Sequence, residues 1–331
     1  MKKYKISVIV TYHNENYNLE KTLDQLLKQT YKPREIIFIN SESTDKSYEV
    51  LKNKIKHLKI KSSIKNYSNL KSPYPSTSKN LGIQVAKYPL IAFMDCGLKF
   101  SKDWLKNKIE LLHKSNSEAV ISSCKLSGYN TFDKACVANT YGLNKKDLCI
   151  PGSVIKKSIF SKIGYFEASR SLYDVIWKEK LKNSKINYIA DYKNCVEYDG
   201  INYAKDSYSL FKKSILYSQD ILHVKKNTQT KYYLLFPLLA LSLFLYNFYF
   251  FLTTIVLYFA IRIAVAKTKS YKYLSLTNFY LIFQVFITGF VIDLARVVGS
   301  YKALLRYIGI NSFLSFFFLF YIVLFATPFM S

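Results

Sequence analysis

"SVIVTYHNENYNLEKTLDQLLKQTYKPREIIFIN", residues 7 to 40, sets two short apolar runs on either side of one amphipathic segment. The runs "KISVIVT" (5 to 11) and "REIIFIN" (34 to 40) read as strands. Between them "NLEKTLDQLLKQT" (18 to 30) places Leu19, Leu23, Leu26 and Leu27 on one helical face. A polar turn, "SEST", and a helix from Asp45 follow. The order β-α-β-α predicts a parallel sheet that gathers its ligands at the carboxyl ends of the strands.

The same pattern continues. "STSKNLGIQVA" (76 to 86) predicts another helix, leading into "IAFMDCGLKF" (91 to 100), a buried strand that ends in Asp95. A metal or phosphate site at a strand end usually takes a second acid two residues on, and here that position is Gly97. "SKDWLKNKIELLHK" (101 to 114) reads as a helix with Ser101 as its N-cap. A strand near "EAVISS" and an irregular stretch come next, then helices over Ser153–Ile163 and Tyr173–Lys182, then two short strands. The sequence shows no internal repeat and no low-complexity linker.

The 331 residues leave room for one large domain or two ordinary ones. Apolar residues crowd the last hundred positions, while residues 1 to 231 have the make-up of a soluble α/β domain. Two lysines precede only a short apolar run at the N-terminus, so that run reads as a first strand rather than a signal peptide, and the soluble domain is expected in the cytoplasm. Five cysteines lie far apart without a C-x-x-C pair, which argues for reduced thiols rather than a zinc knuckle or a disulfide framework. The formal net charge of +26 suits an anionic lipid surface or an anionic substrate. No RNA-binding aromatic motif or zinc finger accompanies it, so nucleic acid is not expected as a partner.

"YYLLFPLLALSLFLYNFYFFLTTIVLYFAIRIAVA" (232 to 266) is too long for one crossing, because 35 helical residues span about 52 Å against a hydrocarbon core of about 30 Å. A helical hairpin turning near Asn247 is expected, with both basic flanks in the cytoplasm: Lys225, Lys226 and Lys231 before it, and Arg262, Lys267, Lys269 and Lys272 closing it. Residues 275 to 297 are interrupted by Gln284, Asp293 and Arg296 and read as an interfacial or re-entrant segment, while 310 to 329 reads as a span. The expected domains are thus 1–222, cytoplasmic, and 223–331, a helical membrane part of a multi-pass inner-membrane protein.

With these segments in view, the chain resembles family 2 glycosyltransferases over roughly residues 5 to 220. The resemblance rests on residues 7 to 51, on "STSKNLGIQVAKYPLIAFMDCG", similar to the family's Ala-Arg-Asn-x-Gly helix and Asp-x-Asp strand end, and on "IPGSVIKKSIFSKIGYFEASRSLYDVIWKEKL", similar to its Gly-Gly-Phe and Glu-Asp segment. It implies a GT-A fold and inverting transfer of a sugar from a nucleotide diphosphate, UDP-linked by default, to a lipid-linked or saccharide acceptor of the cell envelope.

Carried over by position, the resemblance puts Thr11 and His13 where the first strand meets the nucleotide, with His13 at a place usually held by Tyr. Asn40 and Ser41 stand where paired aspartates contact uracil and ribose. Lys79 stands for an arginine facing the diphosphate, and Asp95 for the first acid of Asp-x-Asp. Asp174 matches the catalytic base, and Tyr173 takes the neighbouring glutamate's place.

Three acid positions are therefore vacant. A divalent cation, Mg or Mn, held through Asp95 with phosphate oxygens and water completing its shell, is one solution. Neutralisation by Lys79 or Lys99 is another. A synthase of polyprenyl-phosphate sugars and a non-catalytic scaffold of a polysaccharide-assembly complex are the competing functions; a transporter would need more spans.

Overall fold

The computed structural model describes residues 4–58, 64–68, 74–169, 171–201, 203–219, 245–270, 274 and 277–307. Contacts divide the chain into two compact units, Met1–Ile201 with Lys269–Leu274, and Asn202–Thr268 with Ser275–Ser331.

The first unit is built on a seven-stranded sheet of order β3-β2-β1-β4-β6-β5-β7. Its strands are β1 (Ile6–Tyr12), β2 (Glu35–Asn40), β3 (Ile64–Ser68), β4 (Leu90–Asp95), β5 (Ala119–Gly128), β6 (Asp147–Lys156) and β7 (Tyr188–Ile201). β1 pairs in parallel with β2 and β4, β2 with β3, and β5 with β7, whereas β6 runs antiparallel to β4 and β5. Every residue of β1 and β2 is buried, as expected of parallel strands covered by helices on both faces.

The helices supply that cover: α1 (Asn16–Leu27), α2 (Ser47–Lys56), α3 (Pro75–Val85), α4 (Trp104–Lys114), α5 (Thr131–Thr140), α6 (Ser158–Ile163) and α7 (Tyr173–Lys182). One core gathers Val8, Val10, Leu19, Leu23, Leu26, Leu51 and Trp104, which places α1, α2 and α4 on one face. The other gathers Ile9, Ile37, Ile39, Ile83, Phe93, Phe160 and Trp177, which places α3, α6 and α7 opposite. The alternation of Val8 and Val10 with Ile9 is the period-2 pattern of a strand serving two cores.

Several sequence expectations need correction. Ser153–Lys156 belongs to β6, and only Ser158–Ile163 is helical, because Val154 and Ile155 are buried in register with Ala92 and Ile91 of β4. The two short strands after α7 are one strand, β7, whose pairing with β5 shifts register twice without ending. The irregular stretch contains α5, capped by Asn130, whose side chain accepts from Asp133 N. Ser101 sits in the turn before α4 and accepts from Asp103 N, so the N-cap position falls to Asp103.

A polar knot ties α4 to the far strands. Lys108 Nζ donates to Ser122 Oγ at 2.9 Å, to Asp191 Oδ2 at 2.9 Å and to Asn194 O at 3.1 Å. Both charged side chains are sealed from solvent. Gly152, at φ +82°, fits beside Ser122 because a Cβ there would meet Ser122 Oγ at 2.7 Å, and its carbonyl accepts from Trp104 Nε1.

In the second unit α8 (Ser207–Gln219) packs along the helix Phe279–Tyr307, here α10. Gly299 permits the approach, since a Cβ would run into Ser218. The sequence reading placed α8 with the first domain; by contacts it lies beyond the division at Ile201. The remaining helix, α9 (Phe248–Lys269), starts after Asn247, whose Oδ1 accepts from Tyr249 N. Residues 232–244 of the expected hairpin, the expected span at 310–329, and Lys225, Lys226, Lys231 and Lys272 lie outside the described residues. α10 is unbroken from Phe279 to Tyr307 and covers most of the segment read as interfacial or re-entrant. Both α9 and α10 are long and apolar enough to cross a membrane, with mean hydropathy 2.0.

Candidate functional site

Parallel pairing brings Thr11 and Asp95 side by side at the carboxyl ends of β1 and β4. Thr11 Oγ1 donates to Asp95 Oδ1 at 3.3 Å. Lys79, from α3, places Nζ 2.7 Å from the same oxygen and 3.1 Å from Thr11 Oγ1. Tyr198, from β7, donates its hydroxyl to Asp95 Oδ2 at 3.0 Å. Lys79 is only 1% exposed. Burial is the largest single influence and works against its charge, but the Asp95 carboxylate and the Tyr173 phenol together outweigh it and raise the ammonium's pKa, so the cation is held charged inside the protein. Burial, with Asp95 next to it, drives the Tyr198 phenol up as well, which keeps it a hydrogen-bond donor.

A second group adjoins through α3. Ser41 Oγ lies 2.7 Å from Ser78 Oγ, one residue before Lys79. His13 Nδ1 is 2.6 Å from Ser41 O; a carbonyl can only accept, so Nδ1 carries the proton. Asn40 Oδ1 accepts from Ser43 N at 2.9 Å and shapes the turn after β2. Thr11, Lys79 and Asp95 thus converge in one cluster, and His13 and Ser41 in another linked to it by neighbouring residues of α3.

Asp174 enters at the N-terminus of α7. Leu172, just before the helix, takes the left-handed conformation at φ 63°, an uncommon state for a side chain of that kind and one that clusters at functional sites. The turn sends Tyr173 inward, where its ring centroid lies 5.6 Å from Lys79 Nζ. Burial pushes the Tyr173 phenol up to about 12, with Lys79 pulling it down and the charges of Asp95 and Asp174 pushing it further up. Asp174, one residue on, remains partly open to solvent. Lys178 Nζ holds its Oδ2 at 3.2 Å and also donates to Leu148 O, which anchors this carboxylate to β6.

Gly97, at φ +84°, occupies the second acid position, and Asn18 Nδ2 lies 3.2 Å from where a Cβ would stand. A longer side chain would be strained there. Glu15 braces the first loop: its carbonyl receives Asn18 N and Leu19 N at the start of α1, and its Oε2 accepts from Asn18 Nδ2. Burial raises its pKa, with Asn18 opposing and the Asp95 charge adding to the rise. The Lys99 backbone pairs with Glu197 in both directions at 2.9 Å, and the residue is exposed.

The donor set does not make a cage for a divalent cation. Among the described residues no three acid, histidine or cysteine groups converge. Asp95 is alone at its strand end, both its oxygens are engaged, and an ammonium 2.7 Å away opposes a second cation.

Residues 7–177 match glycosyl transferase family 2. The chain belongs to that family. Among curated relatives, the UDP-Glc:alpha-D-GlcNAc-diphosphoundecaprenol beta-1,3-glucosyltransferase WfaP of Escherichia coli is 32% identical over 120 residues, 36% of this chain and 44% of its own length. Glycosyltransferase GlyA of Streptococcus pneumoniae is 29% identical over 163 residues, 48% of this chain and 20% of its own. An uncharacterized glycosyltransferase of Rickettsia felis is 32% identical over 113 residues, 34% of this chain and 18% of its own. The match therefore spans less than half the length of each of these relatives. The solved mannosyltransferase PcManGT from Pyrobaculum calidifontis, in complex with GDP-Man and Mn2+, aligns over 92% of this chain and 88% of its own, with TM-score 0.54 and 15% identity. The fold of this glycosyltransferase is accordingly GT-A: a mixed, mostly parallel sheet followed by C-terminal helices.

Sequence reasoning named Lys79 and Asp95 separately and missed that they pair. It also missed Tyr198 and Ser78. Tyr198 lies 103 residues from Asp95, in a strand end that carries no motif, and no local signal points to it.

Asp95→Ala is expected to weaken binding of a nucleoside diphosphate roughly tenfold, since it removes the partner that keeps Lys79 charged. Any difference made by Mn2+ in the wild-type titration should vanish with it. Equal affinity of both proteins, with and without Mn2+, would reduce Asp95 to an architectural role.

Proposed function

We propose that the chain moves a sugar from a nucleotide-diphosphate donor, UDP-linked by default, to a lipid-linked or saccharide acceptor of the cell envelope, with inversion at the anomeric carbon. The observation that carries this reading is the Thr11–Lys79–Asp95–Tyr198 cluster, with Asp174 next in sequence to the Tyr173 that lies on Lys79.

In this reaction an acceptor hydroxyl attacks the anomeric carbon and the bond to the diphosphate breaks. Its electron pair leaves with the nucleoside diphosphate, and its proton passes to the Asp174 carboxylate. The leaving group gains negative charge, for which Lys79 supplies a fixed, preorganised cation. Thr11, His13, Asn40 and Ser41 line the nucleotide's side. The described residues do not fit a resident divalent cation, so the charge on the departing diphosphate is met by Lys79.

Membrane attachment is part of the proposal. α9 shows Phe250, Val256, Leu257 and Ile261 to the outside, a surface suited to lipid, and the +26 charge suits an anionic leaflet on the cytoplasmic side. WfaP, by its name, acts on a diphosphoundecaprenol-linked sugar, which favours a lipid-linked acceptor here. A polyprenyl-phosphate sugar synthase would differ only in that acceptor.

Incubating the full chain with a panel of nucleotide sugars tests the proposal. Release of nucleoside diphosphate from at least one donor, increased by a lipid-linked acceptor, is expected. Nucleotide binding without release from any donor would favour a scaffold that keeps the fold alone.

A further inference from the structure

The apolar helices of the second unit hold a charged cluster that sugar transfer does not use. Arg262, on α9, places Nε 2.9 Å from Asp293 Oδ2 of α10. The same carboxylate accepts from Tyr258 OH at 2.9 Å and meets Arg296 Nη1 at 3.4 Å. Arg262 is 8% exposed, and its Nη2 has no hydrogen-bond partner among the described residues. Among the described residues, two guanidinium groups meet this one carboxylate between helices of mean hydropathy 2.0.

A buried donor without an acceptor is costly in apolar surroundings. A purely structural helix–helix contact would leave no buried guanidinium nitrogen unmatched. The unmatched Arg262 Nη2 points to an anion. Along α9, Lys267 and Lys269 stand five and seven residues beyond Arg262, roughly 8 to 11 Å at 1.5 Å per residue. The cluster is therefore one to two turns inside a basic helix end, a depth that long side chains and lipid headgroups both reach. The anion available there is phosphate, whose oxygens match the planar guanidinium fork.

We propose that Arg262, with Arg296 beside it, binds the phosphate group of a membrane lipid in competition with Asp293. The assignment rests on the reading of α9 and α10 as membrane-embedded. Two lipids share that chemistry: a polyprenyl phosphate of the kind that carries a lipid-linked acceptor, and a phospholipid with its headgroup.

Full-length protein in a non-ionic detergent is titrated with a polyprenyl phosphate, with phosphatidylglycerol, and with the corresponding polyprenol that lacks phosphate. Arg262→Gln should weaken binding of a phosphate lipid roughly tenfold or more, Arg262→Lys less, and neither should alter binding of the polyprenol. Asp293→Asn, which removes the competing carboxylate, should tighten it. Loss confined to the polyprenyl phosphate identifies the acceptor lipid, and equal loss for phosphatidylglycerol identifies a headgroup site.

Unchanged affinity of Arg262→Gln for both phosphate lipids overturns the proposal, as does a fall in its melting temperature with lipid affinity intact. Donor hydrolysis to water, measured on the same proteins, should be unaffected by Arg262→Gln. Its absence in the wild type would count against the transferase reading and leave the lipid titration to judge this site by itself.

Discussion

Asp174→Asn is expected to slow sugar transfer by roughly 100-fold or more, the usual scale for losing a general base, while the protein keeps its fold and its affinity for nucleoside diphosphate. The structure separates these effects. Asp174 shares no hydrogen bond with Thr11, Lys79 or Asp95 among the contacts described, and its ion-pair partner Lys178 retains its own bond to Leu148 O when the carboxylate becomes an amide. The amide is nearly the same size, so α7 keeps its position through Trp177, which stacks on Phe160 with centroids 5.0 Å apart. Single-turnover transfer and nucleotide titration on the same protein decide the point. Transfer near the wild-type rate would remove Asp174 from the chemistry, and a matching loss of nucleotide affinity would make it a binding residue.

Lys108→Met should destabilise the protein by about 3–5 kcal/mol, because it leaves the Asp191 carboxylate buried without its cation. For a domain of this size that is a fall in melting temperature of roughly 10 °C. The double variant Lys108→Met with Asp191→Leu should recover much of the loss, since an apolar pair has no charge to strand. A double variant no more stable than the single one would contradict this account.

Acid provides an independent check. Burial alone would raise the Asp191 pKa, but Asn194 N and Lys108 Nζ bring it down to about 2 from an ordinary 3.8. A carboxyl depressed in the folded state contributes stability above its unfolded pKa and loses it as pH falls toward the folded value. Urea midpoints measured between pH 5 and pH 2 should therefore drop more steeply for the wild type than for the double variant.

The first half of the sheet was legible because it is local: Leu19, Leu23 and Leu26 repeat at helical spacing, and the runs around Val8 and Ile37 are short and apolar. α7 was legible to its boundaries for the same reason. What failed was decided by distant partners. "SVIKKSIF" has apolar spacing that suits a helix, and only pairing with Ile91 and Ala92 makes its first half a strand. The site divides in the same way. Thr11, Lys79, Asp95 and Asp174 each fall at positions carried over from the family's motifs, but the Lys79–Asp95 bond, the Ser41–Ser78 contact and the Tyr198 hydroxyl depend on how helix and strand ends meet. The empty second acid position at Gly97 was plain in the sequence. The buried ammonium beside Asp95, which opposes a cation there, was not.

The grip of Tyr198 on Asp95 also has a meaning in time. Thr11, Lys79 and Asp95 belong to the first third of the chain, yet the oxygen of Asp95 that Lys79 leaves uncovered is claimed by a residue synthesised about a hundred positions later. Contacts of such long sequence separation form late in folding, because the intervening chain must first be ordered. A nascent chain that ends before β7 would carry every motif residue of the nucleotide side and still lack the completed cluster. The Thr11–Lys79–Asp95–Tyr198 cluster would then be complete only when the last strand joins the sheet.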